Sequence, residues 1–539
     1  MLLSIILVFG ILIGMRLQPA QPILISEVSQ EATNTPTSGN NKIDQLLRFI
    51  ESKYVDDVDR EQLVDEAIGS ILEQLDPHSS YISAEELTQV NEQMEGNFEG
   101  IGVEFMIFED TVVVVTPLTG GPAETVGIMA GDRIVQVEDS VIAGIGITNA
   151  GIIGLLKGEK GTSVKIGILR IGSEEVKEYE ITRDKIPIKS IDAAYMISES
   201  TGYIKINRFS ATTDKEFLDA LEALDREGLK DLVLDLRRNP GGYLQKATNM
   251  LNQLFPEKGD LLVYTQGRAV NRMEYKTRGR GIFDINKIAL LIDEGSASAS
   301  EILAGAVQDH DRGIIVGRRS FGKGLVQEQY QLKDGSALRL TIARYYTPSG
   351  RSIQKSYEDL EAYENDFSQR YESGELISEA NIKIKDSTRY FTENGRVVFG
   401  GGGIIPDVFV PMDTQGISDD YMVLRQQIPN FTFRYIDQYN ETLQGLSLAE
   451  FALDFKVSEQ DFQNFLEFSR SAGATFDENQ LNAKSQQELK QQLKARVGKH
   501  LFDELGYYKI MNQNDPMILS ALDALKDYEN ILKRKQFKN

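Results

Sequence analysis

The sequence predicts a multidomain α/β protein, and three observations carry that prediction. Short apolar, β-branched runs recur between about residues 200 and 345, and one of them, Lys287–Asp293 (KIALLID), leads into a helical stripe over Ser300–Gln308; buried strands turning into helices make an α/β core. A second stretch, residues 98–184, alternates with period two and contains TVVVVT at Thr111–Thr116, the mark of a small β domain. Residues 42–97 and 413–539 place apolar side chains three and four apart and predict helical regions at either side. A chain of 539 residues has room for three or four such domains.

Composition narrows the function. Lys and Arg total 58 against 81 Asp and Glu, so the net charge is −23, which argues against nucleic acid or anionic lipid as the main partner. There are no cysteines, so disulfides, thiolate catalysis and a lipidated cysteine anchor are excluded. No His/Asp/Glu cluster has metal-ligand spacing, and no cofactor is expected.

Taken in order, Met1–Met15 is apolar and uncharged. It is short for a membrane span unless Leu17–Leu24 contributes, and it lacks a basic start and a good cleavage site. An export signal that is uncleaved or inefficiently cleaved, residues 1–25, is the reading, which leaves the protein anchored or secreted. Residues 26–41 are polar and predict a tether. Ile43, Leu46, Leu47 and Ile50, then Val64, Ile68, Ile71, Leu72 and Leu75, fall at helical spacing, and Asp59-x-x-Gln62 and Ser83-x-x-Glu86 predict capping boxes. Leu75–Tyr81 (LDPHSSY) reads as a helix stop and turn with no chemistry. In the β domain the turn Gly100-Ile101-Gly102-Val103 precedes the first long strand, and Thr148–Leu156 predicts a helix.

In the core, strands are expected at Tyr203–Phe209 and Leu232–Leu236, the second running into Arg237-Arg-Asn-Pro-Gly-Gly242. A Pro-Gly-Gly turn after a buried strand lets backbone amides approach a ligand. Three serines, Ser296, Ser298 and Ser300, sit where the Lys287–Asp293 strand turns into a helix, and the unpaired amides of a helix start suit an oxyanion. Helix caps are the plainer role for such serines. Of the three histidines, His310 lies twelve residues after Ser298, roughly 18 Å along one helix, so a Ser/His pair is ruled out there; His78 and His500 read as surface or packing residues. Lys323, flanked by Phe321, Gly322, Gly324, Leu325 and Val326, is the better base, because an apolar setting depresses an amine's pKa. If Lys323–Gln327 is extended, residues 323 and 327 share a face and Gln327 can orient the amine. Gly317–Lys323 also satisfies the phosphate-loop pattern G-x-x-x-x-G-K, with Leu232–Asp235 as a partner strand. Gly324 occupies the required Ser/Thr position, and the residues that follow alternate as a strand, so nucleotide binding is not expected.

GSASASEI followed by FGKGxVQ resembles the carboxyl-terminal processing proteases, also called tail-specific proteases, serine peptidase family S41. The resemblance covers residues 42–412 and implies a crotonase/ClpP-like α/β protease core over residues 185–412. It implies Ser298 as nucleophile, Lys323 as base and Gln327 as the residue that orients the base. The oxyanion amides would be Ala299 and one of Gly241 and Gly242, without saying which. Residues 98–184 resemble a PDZ domain inserted before the core, so Gly100, Ile101, Gly102 and Val103 would receive a substrate's terminal carboxylate. Thr347-Pro-Ser-Gly-Arg-Ser and Gly400–Asp407 also resemble family segments; residues 357–390, acidic and Tyr-rich, are expected to be an exposed insertion or mobile loop.

The expected function is therefore an exported serine endopeptidase acting on protein or peptide substrates with free C-termini, on the periplasmic side of a bacterial inner membrane. The alternative is an inert tail-binding scaffold. The helical extension, residues 413–539, is open between packing, self-association and adaptor docking.

Overall fold

The structure is a computed structural model, and it describes residues 40–534 apart from positions 119, 171, 174, 280, 385, 415, 417 and 444. The export signal expected at residues 1–25 and the tether up to residue 39 lie outside the described residues. Among the described residues no helix is long and apolar enough to cross a membrane.

Residues up to Ile68 form one compact unit and those from Gly69 a second. The first contains helix α1 (Asn40–Lys53) and the start of α2 (Arg60–Glu73). Asp59 caps α2 by accepting the N–H groups of Glu61 and Gln62 at 2.9 and 3.2 Å. The Gln62 amide turns to Glu66, so the expected reciprocal box is only half made.

The second unit continues with β1 (Ser80–Ile82), α3 (Ala84–Glu95) and β2 (Asn97–Gly100). Ser83 and Glu86 form the predicted capping box of α3 in both directions. The β domain comprises β3 (Val103–Phe108), β4 (Thr111–Pro117), α4 (Pro122–Thr125), β5 (Arg133–Val137), β6 (Ser140–Val141), α5 (Asn149–Leu156), β7 (Ser163–Leu169) and β8 (Val176–Thr182). Its strands lie in the order β3-β4-β5-β7-β8, with β6 beside β5, so β3 is an edge strand. Strand β9 (Asp184–Pro187) pairs antiparallel with β2, and this ribbon brings the chain in and out of the domain.

The core begins with β10 (Ile191–Met196), β11 (Thr201–Ile206), α6 (Thr213–Arg226), β12 (Asp231–Asp235) and α7 (Leu244–Leu254). It goes on with β13 (Lys258–Gln266), β14 (Met273–Arg278), β15 (Lys287–Ile292), α8 (Ala299–Asp309), β16 (Ile314–Gly317), β17 (Leu325–Gln331) and β18 (Ala337–Tyr346). Short helices α9 (Leu360–Glu364) and α10 (Asp366–Glu372), the hairpin β19 (Arg389–Phe391) and β20 (Val397–Phe399), and β21 (Val408–Phe409) follow.

The main sheet runs β10-β11-β12-β15-β16-β21, parallel except for β10. Strands added one after another through right-handed crossovers leave their helices on one face. Accordingly Phe217 and Leu221 of α6, Leu251 of α7 and Ile302 and Leu303 of α8 share one core with Ile288, Leu290 and Ile292 of β15. The alternate residues Ala289 and Leu291, with Tyr203, Val233, Ile314 and Val316, make the opposite face equally apolar. A parallel sheet needs both faces covered, and the C-terminal helices supply the second cover.

Those helices are α11 (Asp419–Leu443), α12 (Leu448–Asp454), α13 (Glu459–Ser471), α14 (Ala483–Met511), α15 (Pro516–Lys526) and α16 (Tyr528–Leu532). The last of these helices are packing: Met517, Ile518, Ala521 and Leu525 of α15 and Ile531 and Leu532 of α16 bury against the sheet. α11, α13 and α14 form their own Phe-rich core around Phe431, Phe462, Phe465 and Leu489, and α12 packs Phe451 with Ile436 of α11 and Val497 of α14.

The region 357–390 is mostly exposed, as expected of an insertion, but it carries two short helices and is anchored at a few points. Tyr363, Arg370, Glu375 and Leu376 are buried. Its acidic residues pair with cations on either side: Glu375 with Arg319 of the core at 2.7 Å, and Asp366 with Lys355 just before the region and with Arg370 one turn on in α10, at 3.2 and 3.0 Å. Two of its acidic residues, Asp366 and Glu375, make these anchoring pairs.

Candidate active site

The three serines have different fates. Ser296 and Ser300 are fully buried, and their hydroxyls donate to the carbonyls of Leu236 (2.8 Å) and Asn239 (3.0 Å). Ser298 is half-buried and holds φ +55°, ψ −113° at the residue before α8. A non-glycine residue there is strained, and such strain persists only where its surroundings enforce it.

Glu301, one turn into α8, is the main enforcer, and sequence reasoning missed it. One of its carboxylate oxygens accepts the N–H of Ser298 at 2.9 Å and that of Lys323 at 2.8 Å. The other accepts Ser320 Oγ at 2.5 Å and the Gly322 N–H at 2.7 Å. The signal was present as Ser-x-x-Glu at a helix start, but its use to hold a distant loop is not. Burial pushes the Glu301 carboxyl up to about 7, against the four hydrogen bonds that favour its charge. Tyr345 of β18 ties the same two residues together, its phenolic oxygen lying 3.1 Å from the Ser298 carbonyl and 2.5 Å from that of Lys323.

Lys323 is partly buried, and burial, then the Arg339 guanidinium, lower its amine's pKa; the Glu301 and Asp76 carboxylates pull the other way. Residues Leu325 onward form β17, so no helix follows the lysine and no phosphate-loop geometry exists. Gln327 pairs directly with Thr341 across β17 and β18, just after a register shift that skips Ile342 of β18, and its Nε2 donates to Thr341 Oγ1 at 3.2 Å.

Arg237–Gly242 returns beside the serine. Gly241 holds φ +101°, and a Cβ there would lie 2.7 Å from Ser298 Cβ and 2.9 Å from the Ala299 nitrogen; Gly242 at φ +141° would clash with the Phe209 carbonyl at 2.1 Å. Both positions therefore demand glycine. The Gly241 N–H donates to Asn239 Oδ1 at 2.9 Å, and Asn239 Nδ2 donates to Ile206 O at 3.1 Å. Arg237 pairs with Asp235 at 2.6 Å and with Asp515, the cap of α15, also at 2.6 Å, so the C-terminal cover reaches this loop.

The turn Asp76–Ser79, to which no chemistry was assigned, lies at this site. Asp76 is buried, accepting the N–H groups of His78 and Ser79, each at 2.9 Å, Ser79 Oγ at 2.6 Å and Thr341 Oγ1 at 3.0 Å. His78 is no surface residue: its Nε2 lies 2.6 Å from the hydroxyl of Tyr363, and burial and then the Lys323 charge lower its pKa to about 4. Lys355 sits over the rings of Phe321 and Tyr363 at 3.9 and 4.1 Å. His310, at the far end of α8, bonds Glu393 and the Leu261 carbonyl, as its distance from Ser298 required.

In the β domain, Gly100–Val103 borders a cavity of about 370 Å³ between β3 and α5, with Phe105, Ile153 and Leu156 on its walls. Lys157 stands at its rim, paired with Glu92 of α3 at 2.5 Å. The predicted carboxylate-binding residues are thus gathered at one groove beside an edge strand.

Comparison with known proteins places the chain in a family. Residues 200–361 match peptidase family S41, residues 10–86 match the activating protease CtpB N-terminal domain, and residues 421–503 match a family of unknown function (DUF8443). A carboxy-terminal-processing protease of Bartonella bacilliformis is 33% identical over 74% of this chain and 92% of its own. The carboxy-terminal processing protease CtpA of Bacillus subtilis is 33% identical over 61% of this chain and 70% of its own. Among solved structures, the PDZ domain of a carboxy-terminal protease from Vibrio cholerae in complex with peptide is 32% identical, covering 17% of this chain and 97% of that one, with a TM-score of 0.16. The chain therefore belongs to peptidase family S41, among the carboxy-terminal processing serine proteases.

Proposed function

We propose that the protein is an exported endopeptidase that captures protein C-termini in its PDZ-like domain and cuts near the tail with a Ser298/Lys323 dyad. The observation that carries the dyad is the single Glu301 oxygen bonded to the backbone N–H of both residues, which keeps their main chains adjacent. Neutral Lys323 takes the Ser298 proton as the hydroxyl attacks the scissile carbonyl, then returns it to the leaving amine. The oxyanion lies at the Ala299 N–H, the first amide of α8, with Gly242 as its partner, because the Gly241 amide is already given to Asn239. One such donor contributes about 3 to 4 kcal/mol to the transition state. The substrate enters as a strand on the edge of β3 that has no strand partner, its last side chain in the apolar groove and its carboxylate at the loop amides of Gly100–Val103, near Lys157.

Export rests on the apolar Met1–Met15, which would hold the enzyme at the outer side of a bacterial inner membrane. The test is mass spectrometry of an unstructured polypeptide with a free apolar C-terminus, incubated with the parent and with Ser298→Ala. Cleavage by the parent alone supports the reading. Binding without cleavage by both points to an inert scaffold, and cleavage by both removes Ser298 as nucleophile.

A further inference from the structure

We propose that the Asp76–Ser79 turn is a positioning element of the catalytic site: Asp76, acting through the hydroxyl of Thr341, sets which way round the Gln327 side-chain amide sits. The proposal rests on the Ser298/Lys323 reading and adds to it a segment some 220 residues earlier in the chain.

The argument is one of hydrogen-bond polarity. An ionised carboxylate only accepts, and a hydroxyl has one hydrogen. Asp76 Oδ1 lies 3.0 Å from Thr341 Oγ1, so the threonine spends its hydrogen there. Thr341 Oγ1 then has only lone pairs for Gln327, 3.2 Å away, and the amide must present its NH₂ to it. On the reading that Gln327 orients the base, the carbonyl Oε1, turned the other way, accepts an N–H of Lys323, and a lysine amine so held keeps its lone pair for Ser298. Without the relay the amide is free to flip and offer NH₂ to an amine, which accepts the hydrogen bond through the lone pair the reaction needs.

The fold makes the relay rigid. Gln327 and Thr341 are cross-strand partners in β17 and β18. On the other edge of β18, β1 pairs Ser80 with Arg339, Tyr81 with Leu338 and Ile82 with Ala337, which delivers the Asp76–Ser79 turn beside Thr341. Ser79 Oγ accepts the Thr341 N–H at 3.1 Å, a second tie. Burial raises the Asp76 pKa, but hydrogen bonds from Ser79, His78 and Thr341 outweigh it and leave the carboxyl below its ordinary value, so the end of the relay stays an acceptor at neutral pH.

The experiment measures kcat and KM of the parent, Thr341→Val, Thr341→Ser, Gln327→Ala and the double variant Thr341→Val/Gln327→Ala, with Ser298→Ala as the control. Thr341→Val should lower kcat by roughly 10- to 100-fold, a part of the roughly 10²–10⁴ that general-base catalysis supplies, with KM within about twofold. Thr341→Ser should restore most of the loss. The double variant should be no slower than Gln327→Ala, because the threonine acts through the glutamine. Parent-like turnover by Thr341→Val, or a double variant losing the product of the two single losses, overturns the relay. Should Thr341→Val fail to fold, Thr341→Ala carries the same comparison. Turnover by Ser298→Ala overturns the dyad itself, and is told apart because it appears with the relay intact.

Discussion

Ile518→Ala tests whether the C-terminal helices are a structural half of the protease core. Ile518 is 1% exposed and lies in the layer that covers the second face of the main sheet, a layer that also holds Leu291, Ile314 and Val316. Truncating a buried Ile costs about 2 to 5 kcal/mol, the transfer of the lost carbons plus the cavity left behind. Removing the cover altogether strips Met517, Ile518, Leu525, Tyr528, Ile531 and Leu532 from the sheet. At about 1.5 to 3 kcal/mol for each large side chain, that loss is comparable with the whole stability of a typical domain, about 5 to 15 kcal/mol. The assay is urea unfolding followed by loss of peptidase activity, read beside tryptophan-free circular dichroism, since the chain has no Trp. Ile518→Ala should lower the activity midpoint while kcat/KM at low urea stays within about twofold, because Ile518 touches none of the reacting groups. An unchanged midpoint, or a chain ending at residue 514 that is as stable and active as the parent, would refute the two-faced core.

Other expected outcomes follow from the site. Lys323→Met should abolish cleavage and also stabilise the fold: burial and then Arg339 lower the lysine's pKa, so the unfolded chain binds the extra proton, and parent stability should rise with pH from that lowered pKa up to about 10.4; the Met variant should lack this slope in pH-dependent denaturation. The groups facing Lys323 are Arg339 of β18, Glu301 of α8, and Asp76 and His78 of the turn. Asp76→Asn removes an anion that favours the ammonium, so the rising limb of kcat/KM should move to lower pH, and Arg339→Gln should move it to higher pH; limbs that stay in place would separate this limb from Lys323. Glu301, raised from 4.5 to about 7 by burial, binds more protons folded than unfolded, so its contribution should make stability fall as pH rises through that window, and Glu301→Gln should flatten the fall. In the Ser298→Ala background, a peptide with a free apolar C-terminus should bind about tenfold or more tightly than its C-terminal amide, as expected for loss of a charge-assisted contact, and Lys157→Ala should narrow the gap; equal affinity of the two peptides in the parent groove would remove the carboxylate role of Gly100–Val103.

The sequence by itself determined the local parts. Period-two and helical spacing indicated where strands and helices lie, the charge and the missing cysteines removed whole classes of chemistry, and the resemblance of the serine and lysine motifs to family S41 pointed to Ser298, Lys323, Gln327 and the Gly241/Gly242 turn as candidates. Tertiary structure decided everything that depends on pairing distant segments. Which serine keeps a half-exposed hydroxyl was settled by Leu236 and Asn239, whose carbonyls take Ser296 and Ser300. The acidic stretch 357–390 is anchored because Arg319 meets its Glu375 in space and its own Arg370 reaches the carbonyls of Arg319 and Ser320. Asp76 entered the site because β1 pairs with β18, more than 250 residues later, and Ile518 entered the core because a parallel sheet leaves a second apolar face open. Local propensity is written in neighbouring residues; a hydrogen-bond partner or a covering helix is chosen by the free energy of the whole fold, and no window of sequence contains it.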